Sequence, residues 1–119
     1  MFFHFRQNNS GGSFAFDEKA GISVNVIVEA NSVEEANNKA EEIGLYFDGC
    51  DNGQDCSCCG DRWYRQYEGD EGNKRPSIYG QAIRKNQKFK KEGVFSFKWI
   101  DGPEAFIHYK DGRILPSLI

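Results

Sequence analysis

The side chains best suited to chemistry are four cysteines, Cys50, Cys56, Cys58 and Cys59, all within the run GCDNGQDCSCCGDRW at residues 49–63. Inside it, Cys56-Ser57-Cys58-Cys59-Gly60 contains a Cys-x-x-Cys-Gly knuckle, a tight turn that can aim two thiolates at one point. Glycine after the second cysteine can take the positive φ such a turn needs. The chemistry this suggests is a structural zinc site, since zinc takes four N or S donors in a tetrahedron. Cys56 and Cys59 would form the knuckle, with the remaining ligands drawn from Cys50, Cys58, His4 or His108. The competing reading is four reduced thiols packed near a turn, where cysteine behaves as a small hydrophobe. A second Cys-x-x-Cys or a distant His pair is missing, and the adjacency of Cys58 and Cys59 makes joint ligation of one ion awkward. The start of the chain lacks the pattern of a secretory leader, so the expected setting is a reducing cytosol without disulfides.

Directly after the knuckle come Arg62, Trp63, Tyr64 and Arg65. Two guanidinium groups and two rings presented together could bind a phosphorylated ligand, with arginine pairing phosphate and a ring stacking on a base. Alternatively Trp63 belongs to the core and the arginines pair with Asp61 or Glu68. Lys88, Lys90 and Lys91, in the basic run at residues 84–91, would add contacts if the partner were nucleic acid. Asp48, Asp51 and Asp55 lack the ligand spacing and distal Glu of a calcium loop and read as turn residues. Catalysis has thin support. There is no Ser-His-Asp set and no phosphate-cradling glycine loop, and no base adjoins the cysteines. The expectation is a protein that is not an enzyme.

Composition sets the frame for these residues. A chain of 119 residues with ten Phe is one domain, residues 1–119, with ample core material. Its net charge of -3 gives no general pull toward nucleic acid. Charge is uneven, with 3 Lys/Arg against 10 Asp/Glu in residues 1–60 and 12 against 8 thereafter. No apolar run approaches the roughly 20 residues of a membrane span.

The elements that must position the loop follow from periodicity. Residues 2–6 alternate as a strand, with Phe3 and Phe5 on one side and Phe2, His4 and Arg6 on the other. Residues 7–13, QNNSGGS, read as a polar loop, followed by a short leg through Phe14 and Phe16 and a turn at residues 17–21. Residues 21–30 are the clearest strand, β-branched and alternating. Residues 32–43 are the clearest helix. Ser32 and Glu35 form a capping box, Val33, Ala36, Ala40 and Ile43 make a narrow apolar stripe, and Gly44 ends it. Leu45-Tyr46-Phe47 and residues 62–67 read as further strands. Residues 77–85 allow a short helix, weakened by Gly80. The tail is β: residues 94–99, a turn at Asp101-Gly102-Pro103, then a hairpin of residues 105–110 with 113–115 through Asp111-Gly112, ended by Pro116.

The run ISVNVIVEANSVEEANNKAEEIGLYFDG, with DCSCCGDRW and the start MFFHFRQNNSGGSF, resembles a family of small uncharacterised proteins of tailed bacteriophages. The resemblance covers about the first 64 residues closely. It implies a phage protein made in the host bacterial cytoplasm, of a kind that commonly blocks a host enzyme or a defence system. The expected architecture is α+β, a mostly antiparallel sheet with one main helix packed on one face and a cysteine-rich turn at one end. The expected function is a phage accessory protein acting by binding, to a host protein or to a small phosphorylated or nucleotide signal. The second reading is a small zinc-knuckle nucleic-acid-binding protein.

Overall fold

A computed structural model describes residues 1–8, 14–55, 60–78, 81–82 and 104–117. Strand β1 (Phe2–Arg6) lies antiparallel to β2 (Asn25–Glu29), with Phe3 opposite Val28 and Phe5 opposite Val26. On its other side β2 runs parallel to β5 (Ala105–His108), which pairs antiparallel with β6 (Ile114–Ser117). The order is β1-β2-β5-β6, a mixed sheet in which two of three pairings are antiparallel. With helix α1 (Val33–Ile43) this is the α+β class the pattern predicts.

Helix α1 starts and stops where its caps require. The Ser32 hydroxyl accepts from the Glu35 N–H at 3.1 Å, satisfying one free donor of the first turn. Gly44, at φ +125, donates to the carbonyls of Ala40 and Glu41 and closes the helix. Ala36 and Ala40 are fully buried, and their small size lets the helix approach the sheet closely. One core cluster joins them to Phe3, Phe5, Val26 and Val28 of the sheet and to Leu45, Phe47 and Trp63 of the following segments. Burying each Phe of β1 here stabilises the fold by about 1.5–3 kcal/mol. The opposite sheet face carries a second cluster of Phe2, Ile27, Ala105 and Ile107.

Three expectations need correction. The strand expected over residues 21–30 is confined to β2, because Gly21 sits at φ +75 and Ile22 is used in a bridge to Asp17. Leu45 and Phe47 alternate like a strand because both enter the core, yet they belong to a loop that turns at Asp48, φ +57. The strand parallel to β2 is β5, far along the chain. Residues 62–67 form no strand either, because side chains take the hydrogen bonds a ladder would use. Asp55 accepts from the Arg62 N–H, and Asn37 of α1 clamps both backbone groups of Gln66 at 2.9 and 3.0 Å. Within residues 77–85, where the pattern allows a short helix but Gly80 weakens it, the described residues hold two short strands, β3 (Ser77–Ile78) and β4 (Gln81–Ala82), paired antiparallel.

The Asp111-Gly112 hairpin forms as expected, but Pro116 lies within β6 rather than ending it. The Tyr109 N–H donates to the Arg113 carbonyl, which sets the alternation of bonded and unbonded pairs along β5 and β6. Phe106 and Pro116 therefore face each other as a non-bonded pair. The proline nitrogen points out of the sheet, where an edge strand tolerates it and where it discourages further strand addition. The strand and turn expected over residues 94–103, and the basic run at 84–91, lie outside the described residues. Among the described residues, no helix is long and apolar enough to cross a membrane.

Candidate functional site

The segment from Leu45 to Gln66 is built around one guanidinium. Arg62 donates through Nη1 to Gln7 Oε1 at 2.7 Å and through Nε to the Tyr46 hydroxyl at 3.2 Å. That hydroxyl donates to Asp55 Oδ1 at 2.7 Å, and Asp55 Oδ2 accepts from the Arg62 N–H at 2.8 Å. The Asp55 carboxylate is nearly inaccessible and Arg62 is about one-seventh exposed, their charges 3.9 Å apart. Burial and the bond to Asp55 raise the Tyr46 pKa, so the phenol stays a donor. A buried carboxylate of this kind is tolerated only because every neighbour satisfies it.

Glycine permits the close packing. A Cβ on Gly49 would lie 1.9 Å from Asp55 Oδ2, so no other residue fits there without moving the carboxylate. Gly60, at φ +87, has the left-handed backbone expected of the residue after the knuckle. Asn8 ties this loop to the end of β1, its N–H donating to the Arg62 carbonyl and its amide to the Asp61 carbonyl.

The four residues expected to bind a ligand together are divided by this arrangement. Trp63 is 2% exposed and packs in the main core, so its ring offers no stacking face. Arg62 is committed to Gln7, Tyr46 and Asp55. Tyr64 and Arg65 point outward, each about half exposed, and Tyr67 is 78% exposed. Arg65 pairs with Asp48 at 2.6 Å and lies over the Phe47 ring, 5.0 Å from its centre. The arginines thus pair with Asp55 and Asp48 rather than with Asp61 or Glu68. The result is a rigid buried support carrying an exposed surface of two tyrosines and one stacked arginine.

The family model for a domain of unknown function, DUF7296, matches residues 1–117. The chain belongs to that family. No curated protein and no solved structure matches it.

In this DUF7296 chain the cysteine centre is described only at Cys50 and Gly60; Cys56, Cys58 and Cys59 lie outside the described residues. The Cys50 N–H donates to Asp61 Oδ1 at 2.9 Å. Desolvation, a hydrogen bond to Asp61 and the charges of Asp61, Asp55 and Asp51 push the Cys50 thiol up to about 11, which favours the protonated form. Both histidines make hydrogen bonds through Nε2. His4 Nε2 lies 2.7 Å from Asn25 Oδ1, and His108 Nε2 lies 2.8 Å from the Gly21 carbonyl. Burial is the main cause lowering both pKa values, so both rings favour the neutral form. Among the described residues, no group of three His, Cys, Asp or Glu side chains is arranged to hold an ion.

Two parts of this arrangement are not apparent from sequence. Gln7, read as the start of a solvated loop, is 1% exposed and joins Arg62, Ala15 and Ser23 through its amide. Glu104 is equally buried, and among the described residues its Oε1 has no hydrogen-bond partner. Desolvation, partly countered by Arg6, raises the Glu104 pKa to about 7.

Proposed function

We propose that this is a phage accessory protein of the host bacterial cytoplasm that acts by binding a host protein through the surface of Tyr64, Arg65 and Tyr67. The observation that carries the reading is the division of residues 62–67. Arg62 and Trp63 turn inward and fix the backbone, whereas two tyrosines and a stacked arginine are left exposed. Tyr and Arg are the residues from which protein-interface hot spots are most often made, especially when held rigid before binding. Holding Arg65 on Phe47 and against Asp48 lowers the entropy lost when a partner immobilises it. A nucleotide site at these residues would need the Trp63 ring and the Arg62 guanidinium, both of which are engaged elsewhere. The resemblance to phage proteins supplies the setting and the kind of partner.

The test is capture of bacterial proteins by the tagged chain and by a Tyr64→Ala/Tyr67→Ala variant, followed by reconstitution of any differential partner from purified components. A single partner retained by the parent and lost by the variant, with both equally folded, supports the reading. Equal capture by the two would overturn it.

A further inference from the structure

Between α1, the turn before β2 and the β5–β6 hairpin lies an open depression of about 380 Å³, lined by Lys19, Lys39, Glu42, His108, Tyr109 and Arg113 together with apolar Ala20, Ile43 and Ile114. Its cations come from three separate parts of the chain: the turn before β2, the helix, and the β5–β6 hairpin. Residues 1–60 contain only 3 Lys/Arg against 10 Asp/Glu, and two of those three cations, Lys19 and Lys39, meet here. In such acidic surroundings a lysine would ordinarily find a carboxylate. Among the described residues, the ammonium group of neither Lys19 nor Lys39 makes an ion pair or a hydrogen bond. Arg113 is held at the rim, its Nε on Asp111 at 2.7 Å and its guanidinium 4.5 Å from the centre of the Tyr109 ring.

We infer that this depression is a binding site for a small phosphorylated molecule, its phosphate held between Lys19 and Lys39 with Arg113 at the edge. Two ammonium groups with no acid partner suit a dianionic phosphate, since a lysine can turn its three donors toward any oxygen. The volume lies within the range of small-ligand pockets. Ala20, Ile43 and Ile114 give the uncharged part of the ligand an apolar wall. Glu42, the one lining carboxylate, opposes the anion, and Asp111 already offsets Arg113. The affinity is therefore modest and sensitive to salt. The site shares no residue with the surface around Tyr64 and Tyr67, so either can fail without the other.

Titration calorimetry of the full chain with inorganic phosphate, pyrophosphate, adenosine monophosphate and uncharged adenosine, at low and at physiological salt, tests this. The expected result is saturable binding of at least one phosphate-bearing probe with Kd below about 1 mM, no binding of adenosine, and weaker binding as salt rises. Lys19→Gln and Lys39→Gln should each weaken it by about fivefold or more while leaving the melting temperature unchanged. Arg65→Ala, outside the depression, should leave it unchanged. Binding of phosphate or pyrophosphate alone would mark a plain anion site, and tighter binding of the monophosphate would mark use of the apolar wall; both support the inference. Failure of all three phosphate-bearing probes to bind, or binding indifferent to both lysine substitutions, overturns it.

Discussion

Replacing Arg62 by alanine should destabilise the protein far more than replacing Arg65, although the two residues lie three positions apart in one basic-aromatic run. Arg62→Ala removes the bonds to Gln7 and Tyr46 and withdraws the positive charge facing the buried Asp55 carboxylate. Asp55 keeps the Tyr46 hydroxyl and the residue-62 N–H, so the loss falls short of a fully abandoned buried charge. Two hydrogen bonds involving a charged group, partly buried, give about 2–4 kcal/mol. For a chain of this length that is a fall in melting temperature of about 8–16 °C. Arg65→Ala removes an ion pair with both partners about half exposed and a cation–π contact, together about 1 kcal/mol or less. Urea unfolding followed by tryptophan fluorescence is a suitable assay, because Trp63 lies in the core beside the affected loop. Equal losses in the two variants would refute the claim that Arg62 holds the loop together.

Other substitutions probe the fold and its titration. Ala40→Asp places a charge in the fully buried stripe of α1 and should cost several kcal/mol or give insoluble protein, whereas Glu41→Ala on the exposed face should cost less than about 0.5 kcal/mol. Equal unfolding midpoints would mean that the helix faces are reversed. Glu104, raised to about 7, binds its proton more tightly folded than unfolded, so its contribution to stability is full at acid pH and is lost as pH rises through about 7. Glu104→Gln should thus gain stability relative to the parent between about pH 5 and 8 in paired denaturant titrations, and parallel curves would count against a buried titrating carboxyl. Gly21→Ala should lower stability by about 1–3 kcal/mol or more, because φ is +75 and the new Cβ would lie 2.7 Å from the His108 ring; an unchanged melting temperature would contradict that geometry.

Elements whose local signals agree with their packing are the ones sequence reveals. Ser32, the Ala36 and Ala40 stripe and Gly44 all point to one helix, and β1 and the Asp111-Gly112 hairpin are similarly consistent. Alternation misleads where a loop feeds the core. Leu45 and Phe47 have a strand's spacing because both are buried, and residues 62–67 lose their ladder to Asp55 and Asn37 side chains that no periodicity announces. The parallel pairing of β2 with β5 joins positions about eighty residues apart, beyond any local rule. At the candidate site, the importance of residues 62–65 is legible but their direction is not. One arginine is buried and the next exposed because a single carboxylate, Asp55, is enclosed by Gly49 and Tyr46, and sequence spacing contains no record of that enclosure.

The central claim is that Tyr64, Arg65 and Tyr67 form the working surface. Its most direct test is the affinity of the purified chain for a partner retained in the capture experiment, measured beside the Tyr67→Ala variant. Tyr67 is 78% exposed and makes no contribution to the core, so its removal leaves stability within about 0.5 kcal/mol. The account predicts a loss of about 30-fold or more in affinity, the mark of a hot spot of about 2 kcal/mol, with an unchanged melting temperature. Undiminished affinity in that variant and in Tyr64→Ala and Arg65→Ala would contradict it and place the working surface elsewhere.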